Sequence, residues 1–305
     1  MRRDPASEYS LAAEKCGRKH ETIRRKQMKL IDFDGLFDEK LSQYIEENKG
    51  KYTEKQWENI IPRLYKKFGD TYVAKVKSTP KQYYAKMTDG ELAETLGEHL
   101  KQKVPVPDFL CSEIESRNCA EVLLPLLKSD DGETVSYALN LAGISEGVFS
   151  VCFDILTQNK FDEDIRDAAA DKLKENADAV SSDALRFYRE GRAAEYMLEI
   201  LSKVTKRNEE IFEILLNEFL SDAERVPVRA GYLASYGDER ALPYLMKKIE
   251  DRTIGFVEFQ ELKYAIEALG GEYNEPRDFS DDKDYRTIEE ASLKEGFSGG
   301  GFPLS

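Results

Sequence analysis

Apolar side chains recur along this chain three and four residues apart, in short segments separated by polar turns, which is the spacing of one buried face on an α-helix. From Gly35 to about Met87, Leu36, Leu41 and Ile45 form one stripe, and Trp57, Ile60, Ile61, Leu64 and Phe68 form the next. Gly50 and Thr53 punctuate the join. Asp34 and Thr53 are the expected N-caps, since a short side-chain oxygen accepts a bond from an unpaired first-turn amide. Pro62 predicts either a kink in a helix from Thr53 to Lys67 or the start of its second half. Ser78-Thr79-Pro80 predicts another helix start. Between Thr88 and Glu115, Leu92, Leu96 and Leu100 mark one helix and Leu110 and Ile114 the next, with Val104-Pro105-Val106-Pro107 as the joint. Alternating apolar runs and Asn-Gly hairpin signals, which would predict strands, are absent from the sequence.

Beyond residue 117 the pattern repeats. NCAEVLLPLL at 118–127 and GDERALPYLM at 237–246 each place a Leu-Pro step in a short apolar helix after a polar turn. Their expected partner helices are rich in alanine and leucine: SYALNLAGI at 136–144, DAAADKL at 167–173, RAGYLASYG at 229–237 and KYAIEALGG at 263–271. Small residues allow close helix approach, and glycine supplies the left-handed residue that ends a helix. Ala138 to Ala169 is 31 residues, Ala170 to Ala230 is 60, and Ala230 to Ala265 is 35. A degenerate unit is therefore expected over Ser182–Val204, with DALRFYREG and RAAEYMLEILSKV as its two helices.

With these motifs, residues 118–271 resemble the HEAT-like repeat family in its short bacterial form, best at GDERALPYL followed by the helix ending at Gly271. Arg229 and Lys263 match the family's late basic position, while Asn140 and Asp171 break the pattern. The resemblance implies an all-α protein, an α-solenoid of HEAT-like helix pairs whose second helices line a curved inner surface, and a function as a non-catalytic scaffold or adaptor for another protein. A helical N-terminal region, residues 28–116, would precede the repeats at 117–271.

The candidate partner-binding residues follow from helical geometry. Arg225, Arg229, Tyr232 and Tyr236 share one face, away from Ala230 and Leu233. Tyr137 and Asn140 lie beside Ala138, and Tyr264 beside Ala265. Tyrosine and arginine carry much interface energy because they bury large areas while keeping polar bonds. The same tyrosines would equally serve to pack one repeat on the next.

Charge narrows the partner. The net charge of -14 disfavours bulk binding to nucleic acid or anionic lipid. Residues 1–27 run the other way, with eight Lys/Arg against four Asp/Glu, and are expected as a disordered basic arm or an extension upstream of a start at Met28. Residues 51–86 hold nine Lys/Arg against three Asp/Glu, interleaved with aromatics such as Tyr52, Trp57, Tyr72 and Tyr84. Such a segment can grip phosphates and stack bases, so nucleic-acid binding there is the alternative function, as is a DNA-base glycosylase of HEAT-like type. The other reading of the segment is aromatics turned to a core under solvated lysines.

Candidate chemistry is thin. The four cysteines lack CxxC pairing, His20 and His99 lie far apart, and phosphate loops, GxSxG elbows and HExxH motifs are missing, so the expectation is no enzyme, no cofactor and no metal. Asp278, Ser280, Asp282 and Glu289 fall at EF-hand spacing, but Lys283 occupies the position needing glycine. Residues 272–305, with nine Asp/Glu against four Lys/Arg and a Gly-rich end, are expected as a disordered acidic tail. Without an apolar run of membrane-spanning length, the expected setting is the cytoplasm.

Overall fold

The computed structural model describes residues 30–158, 160–222 and 224–296. The basic segment 1–27 and the Gly-rich end at 297–305 lie outside the described residues. Among the described residues there are sixteen α-helices and no strand, with one isolated antiparallel bridge from Val73 to Ser78. They divide into two compact units. One holds the described residues up to Leu126 together with Leu141–Gly143, and the other holds Leu127–Asn140 and those from Ile144 onward.

The first unit contains α1 (Phe33–Glu47), α2 (Glu54–Phe68), α3 (Pro80–Ala85), α4 (Asp89–Gln102) and α5 (Asp108–Ser116). Thr79 caps α3 ahead of Pro80, and Thr88 with Glu91 forms a capping box on α4. At α1 the cap is Asp32, whose carboxylate accepts the Gly35 amide at 2.8 Å, whereas Asp34, the expected cap, accepts the Tyr65 hydroxyl at 2.6 Å. Helix α2 runs through Pro62 without a break. Pro62 and Glu58 are both exposed, so the carbonyl that loses its helical donor can be hydrated. The core is aromatic: Phe33 meets Tyr83 and Tyr84 edge-on, and Tyr65 stacks on Phe109 at 4.7 Å. Arg117 closes the unit by donating to the carbonyls of Met87 and Ala85 while pairing with Asp89 and Glu113.

Helices α6 (Leu124–Leu127) and α7 (Gly132–Leu141) contain the sequence boundary between the units. In the second unit, α8 (Glu146–Thr157) packs on α9 (Glu163–Lys174), α10 (Ala177–Arg189) on α11 (Ala194–Leu201), α12 (Glu209–Ser221) on α13 (Val226–Tyr236), and α14 (Leu242–Ile249) on α15 (Phe256–Ala268). The second members also touch in order, α9 to α11, α11 to α13 and α13 to α15. They begin at Glu163, Ala194, Val226 and Phe256, intervals of 31, 32 and 30 residues. Ala138, Ala169, Ala230 and Ala265 are all buried, as their small size at close helix crossings requires.

Polar bonds repeat with nearly the same interval. Tyr196 donates to Asp167, Tyr188 to Glu218, Arg240 to Glu209 and Arg207 to the Gly237 carbonyl, each spanning 29 to 31 residues. Asp238 accepts from Arg240 and Arg207 at once. Bonds of this span join each helix pair to the next, so the units are held by directed contacts as well as by apolar burial.

The acidic segment from 272 is packed rather than disordered as far as it is described. Tyr273 is buried, and Arg277 donates to the carbonyls of Ile249 and Asp251 while lying over the Phe259 ring. Phe279 and Tyr285 meet Phe256 edge-on at 5.3 and 5.0 Å. A helix, α16 (Lys283–Gly296), follows and contacts α15. Its charge count hid four aromatic and guanidinium anchors that together cover the last helix pair.

Candidate functional site

The exposed positions of α11, α13 and α15 converge on a cleft of about 450 Å³. Pro227, Val228, Gly231 and Tyr232 of α13 line it, with Val257 and Glu261 of α15 on one side and Glu199 of α11 and Lys203, just past the end of α11, on the other. Val228 and Val257 are 47% and 41% exposed, unusual for branched aliphatic side chains facing one hollow. Gly231 sits in the interior of α13, where a Cβ would meet nothing within 4 Å.

At and around the cleft Glu199, Asp171 and Glu261 stand against Lys174 and Lys203, a net of one negative charge. Glu199 shares the Lys174 ammonium with Asp171, at 2.6 and 2.7 Å. Lys203 donates to Ser235 at 3.2 Å. Glu261 makes no ion pair or side-chain hydrogen bond among the described residues. Burial, with help from the Glu199 and Glu195 carboxylates, raises the Tyr232 hydroxyl above its ordinary range, so it stays a neutral donor.

The expected partner-binding residues fall in different places. Arg229 is 2% exposed, with its guanidinium forked on Glu195 at 2.8 and 2.9 Å and further paired with Asp222 and Glu218. Tyr236 is also buried, its hydroxyl bonded to the backbone N–H and C=O of Asn208. Arg229 therefore ties α13 both to Glu195 of the preceding pair and to its own partner α12, while Tyr236 ties the end of α13 to the start of α12, and neither is surface for a partner. The helical spacing expects them on one face, and in the structure both turn toward neighbouring helices, Arg229 toward α11 and α12 and Tyr236 toward the start of α12. Arg225 also reaches Glu195, at 2.9 Å, from a half-exposed position. Tyr232 lies in the cleft beside Arg229, whose guanidinium is 5.7 Å from its ring. Tyr264 is 60% exposed on α15, while Tyr137 at 37% and the exposed Asn140 lie on α7. Val228, Gly231, Val257 and Glu261 were missed by the sequence reading. The one signal for them was a glycine inside a helix that nothing in the pattern required.

In the first unit, most aromatics of segment 51–86 turn inward: Phe68 and Tyr84 are buried, and Trp57 meets Tyr44 and Tyr52 edge-on. Tyr72 is the exception at 62% exposure. Lys81 pairs with Asp70 at 2.7 Å, while Lys66, Lys67, Lys75 and Lys77 have no carboxylate partner among the described residues. At the EF-hand spacing near the end the described residues gather no group of metal-ligating side chains, and Asp282 accepts the amides of Phe256, Asp284 and Tyr285.

Among the described residues no helix is long and apolar enough to cross a membrane. No protein-family model, curated protein or solved structure matches this chain.

Proposed function

We propose that this chain is a HEAT-like α-solenoid scaffold of the cytoplasm that binds another protein on the surface of its second helices. The observation that carries this is the cleft of α11, α13 and α15: three successive second helices, repeating at 30 to 32 residues, leave an apolar hollow with Val228 and Val257 open to solvent. Arrays of this kind use such continuous faces for extended contacts. Affinity capture from the native cytosol tests it, comparing the chain with a Val228→Asp, Val257→Asp variant. Loss of a defined partner with an unchanged urea midpoint supports the scaffold. Equal recovery by both would refute it.

A second reading attaches to the first unit, because Tyr72 is exposed next to the unpaired Lys75 and Lys77 on the turn closed by the Val73–Ser78 bridge. Base stacking on Tyr72 with phosphates on the lysines would give single-stranded nucleic-acid binding that weakens steeply with salt. Tyr72→Ala, Lys75→Ala, Lys77→Ala leaving oligonucleotide affinity unchanged excludes it. The glycosylase variant has less support, since Trp57 is packed between two tyrosines.

A further inference from the structure

We infer that the cleft between α11, α13 and α15 takes a peptide segment in which an apolar side chain lies next to a lysine or arginine. This rests on the scaffold reading and specifies its ligand.

Gly231 supplies the first argument. Glycine inside a helix is about 1 kcal/mol less favourable than alanine. At Gly97, in α4, the neighbouring Leu126 side chain would stand 3.1 Å from an added Cβ, so packing explains the glycine. At Gly231 nothing lies within 4 Å and the backbone is ordinary right-handed helix, so neither packing nor conformation explains it. The bare backbone forms part of the cleft lining, between Val228 and Tyr232. A residue that weakens its own helix while opening a hollow fits close approach by a second chain.

Charge supplies the second. The apolar contact is offered by Val228 and Val257, and the cleft of about 450 Å³ is in the range that holds one or two side chains of a ligand. Around it Glu199 and Asp171 share one ammonium, and Glu261 has no cation among the described residues. Lys203 lines the cleft just past the end of α11, tethered to Ser235, where it can meet a peptide carbonyl. With Glu199, Asp171 and Glu261 against Lys174 and Lys203, a cationic side chain reaching Glu261 completes the charge balance, whereas an acidic one would add to the excess.

The test is fluorescence anisotropy with the full chain and three labelled peptides: one of alternating leucine and lysine, one with glutamate for lysine, one with serine for leucine. At physiological salt the first should bind at least about tenfold more tightly than the others. Gly231→Leu should weaken it about tenfold and Glu261→Gln about threefold. Gly231→Ala should raise the urea midpoint, showing that the glycine serves the cleft and not the fold. Absence of binding, equal binding of the glutamate peptide, or indifference to Gly231→Leu overturns the inference. Capture from cytosol with Gly231→Leu separates the two levels. A partner lost there, while no peptide binds, sinks the ligand chemistry and leaves the scaffold. If neither responds, both fall.

Discussion

Replacing Arg229 by methionine should destabilise the second unit strongly, although a helical wheel alone makes the residue look like exposed interface. The guanidinium is 2% exposed and pairs with Glu195, Asp222 and Glu218 at once. Stranding the charges of a buried pair costs about 3–5 kcal/mol. Here the three carboxylate side chains keep 51%, 25% and 28% of their exposure, so water can relax part of that penalty. The expected loss is therefore about 3 kcal/mol, or roughly 6–12 °C in a unit of this size. Arg229→Lys should fall between, because an ammonium keeps the charge but cannot fork on Glu195. The pH dependence gives a second handle. The Arg229 bond holds the Glu195 carboxyl below its usual range. A depressed carboxylate contributes stability above its unfolded pKa and loses it as pH falls through the folded one. The gap between the native chain and Arg229→Met should therefore shrink on acidification below about pH 4. Urea unfolding followed by far-ultraviolet circular dichroism, at neutral and acid pH, measures both. Coincident midpoints at pH 7, or a gap that widens in acid, would refute the reasoning.

Other outcomes follow from single contacts. Asp238, held down to about 2 chiefly by its bonds to Arg240, should contribute stability above about pH 4 that fades toward pH 2, and Asp238→Asn should flatten that acid limb in a pH series of thermal melts. Arg277→Ala should cost about 2 kcal/mol by freeing the carbonyls of Ile249 and Asp251, and limited proteolysis should then cut within 272–296 first. Tyr65→Phe should cost about 1 kcal/mol by removing the bond to Asp34, read as a shift in the urea midpoint. Burial pushes the Cys111 and Cys152 thiols up to about 11 and 12, so both should resist iodoacetamide at pH 8 in the folded chain and react on unfolding.

Much of the helical pattern was legible because alanine and leucine at close crossings leave a strong mark. Ala169 and Ala230 are buried where the repeat pattern put them, and α10 and α11 occupy the segment expected to be degenerate. The period was harder to read. Ala230 is the fifth residue of α13 and Ala265 the tenth of α15, so an alanine count gives 35 where the helices repeat at 30. Helices α8 and α12 went unnoticed as first members because they carry neither an alanine nor the Leu-Pro step that marked the other first helices. For the site, geometry within one helix fixed which residues share a face but not what that face meets. The burial of Arg229 depends on Glu195, 34 residues earlier, and that of Tyr236 on Asn208, 28 residues earlier. Such pairs become visible only once the period is known.

The covering of the last helix pair by Tyr273, Arg277, Phe279 and Tyr285 bears on how this chain can be shortened. A cut after Gly271, where the repeat pattern ends, would leave Phe256 and Phe259 as a bare, sticky end. Chains ended there should clump through that end face, whereas chains that keep residues to 296 carry their own stopper.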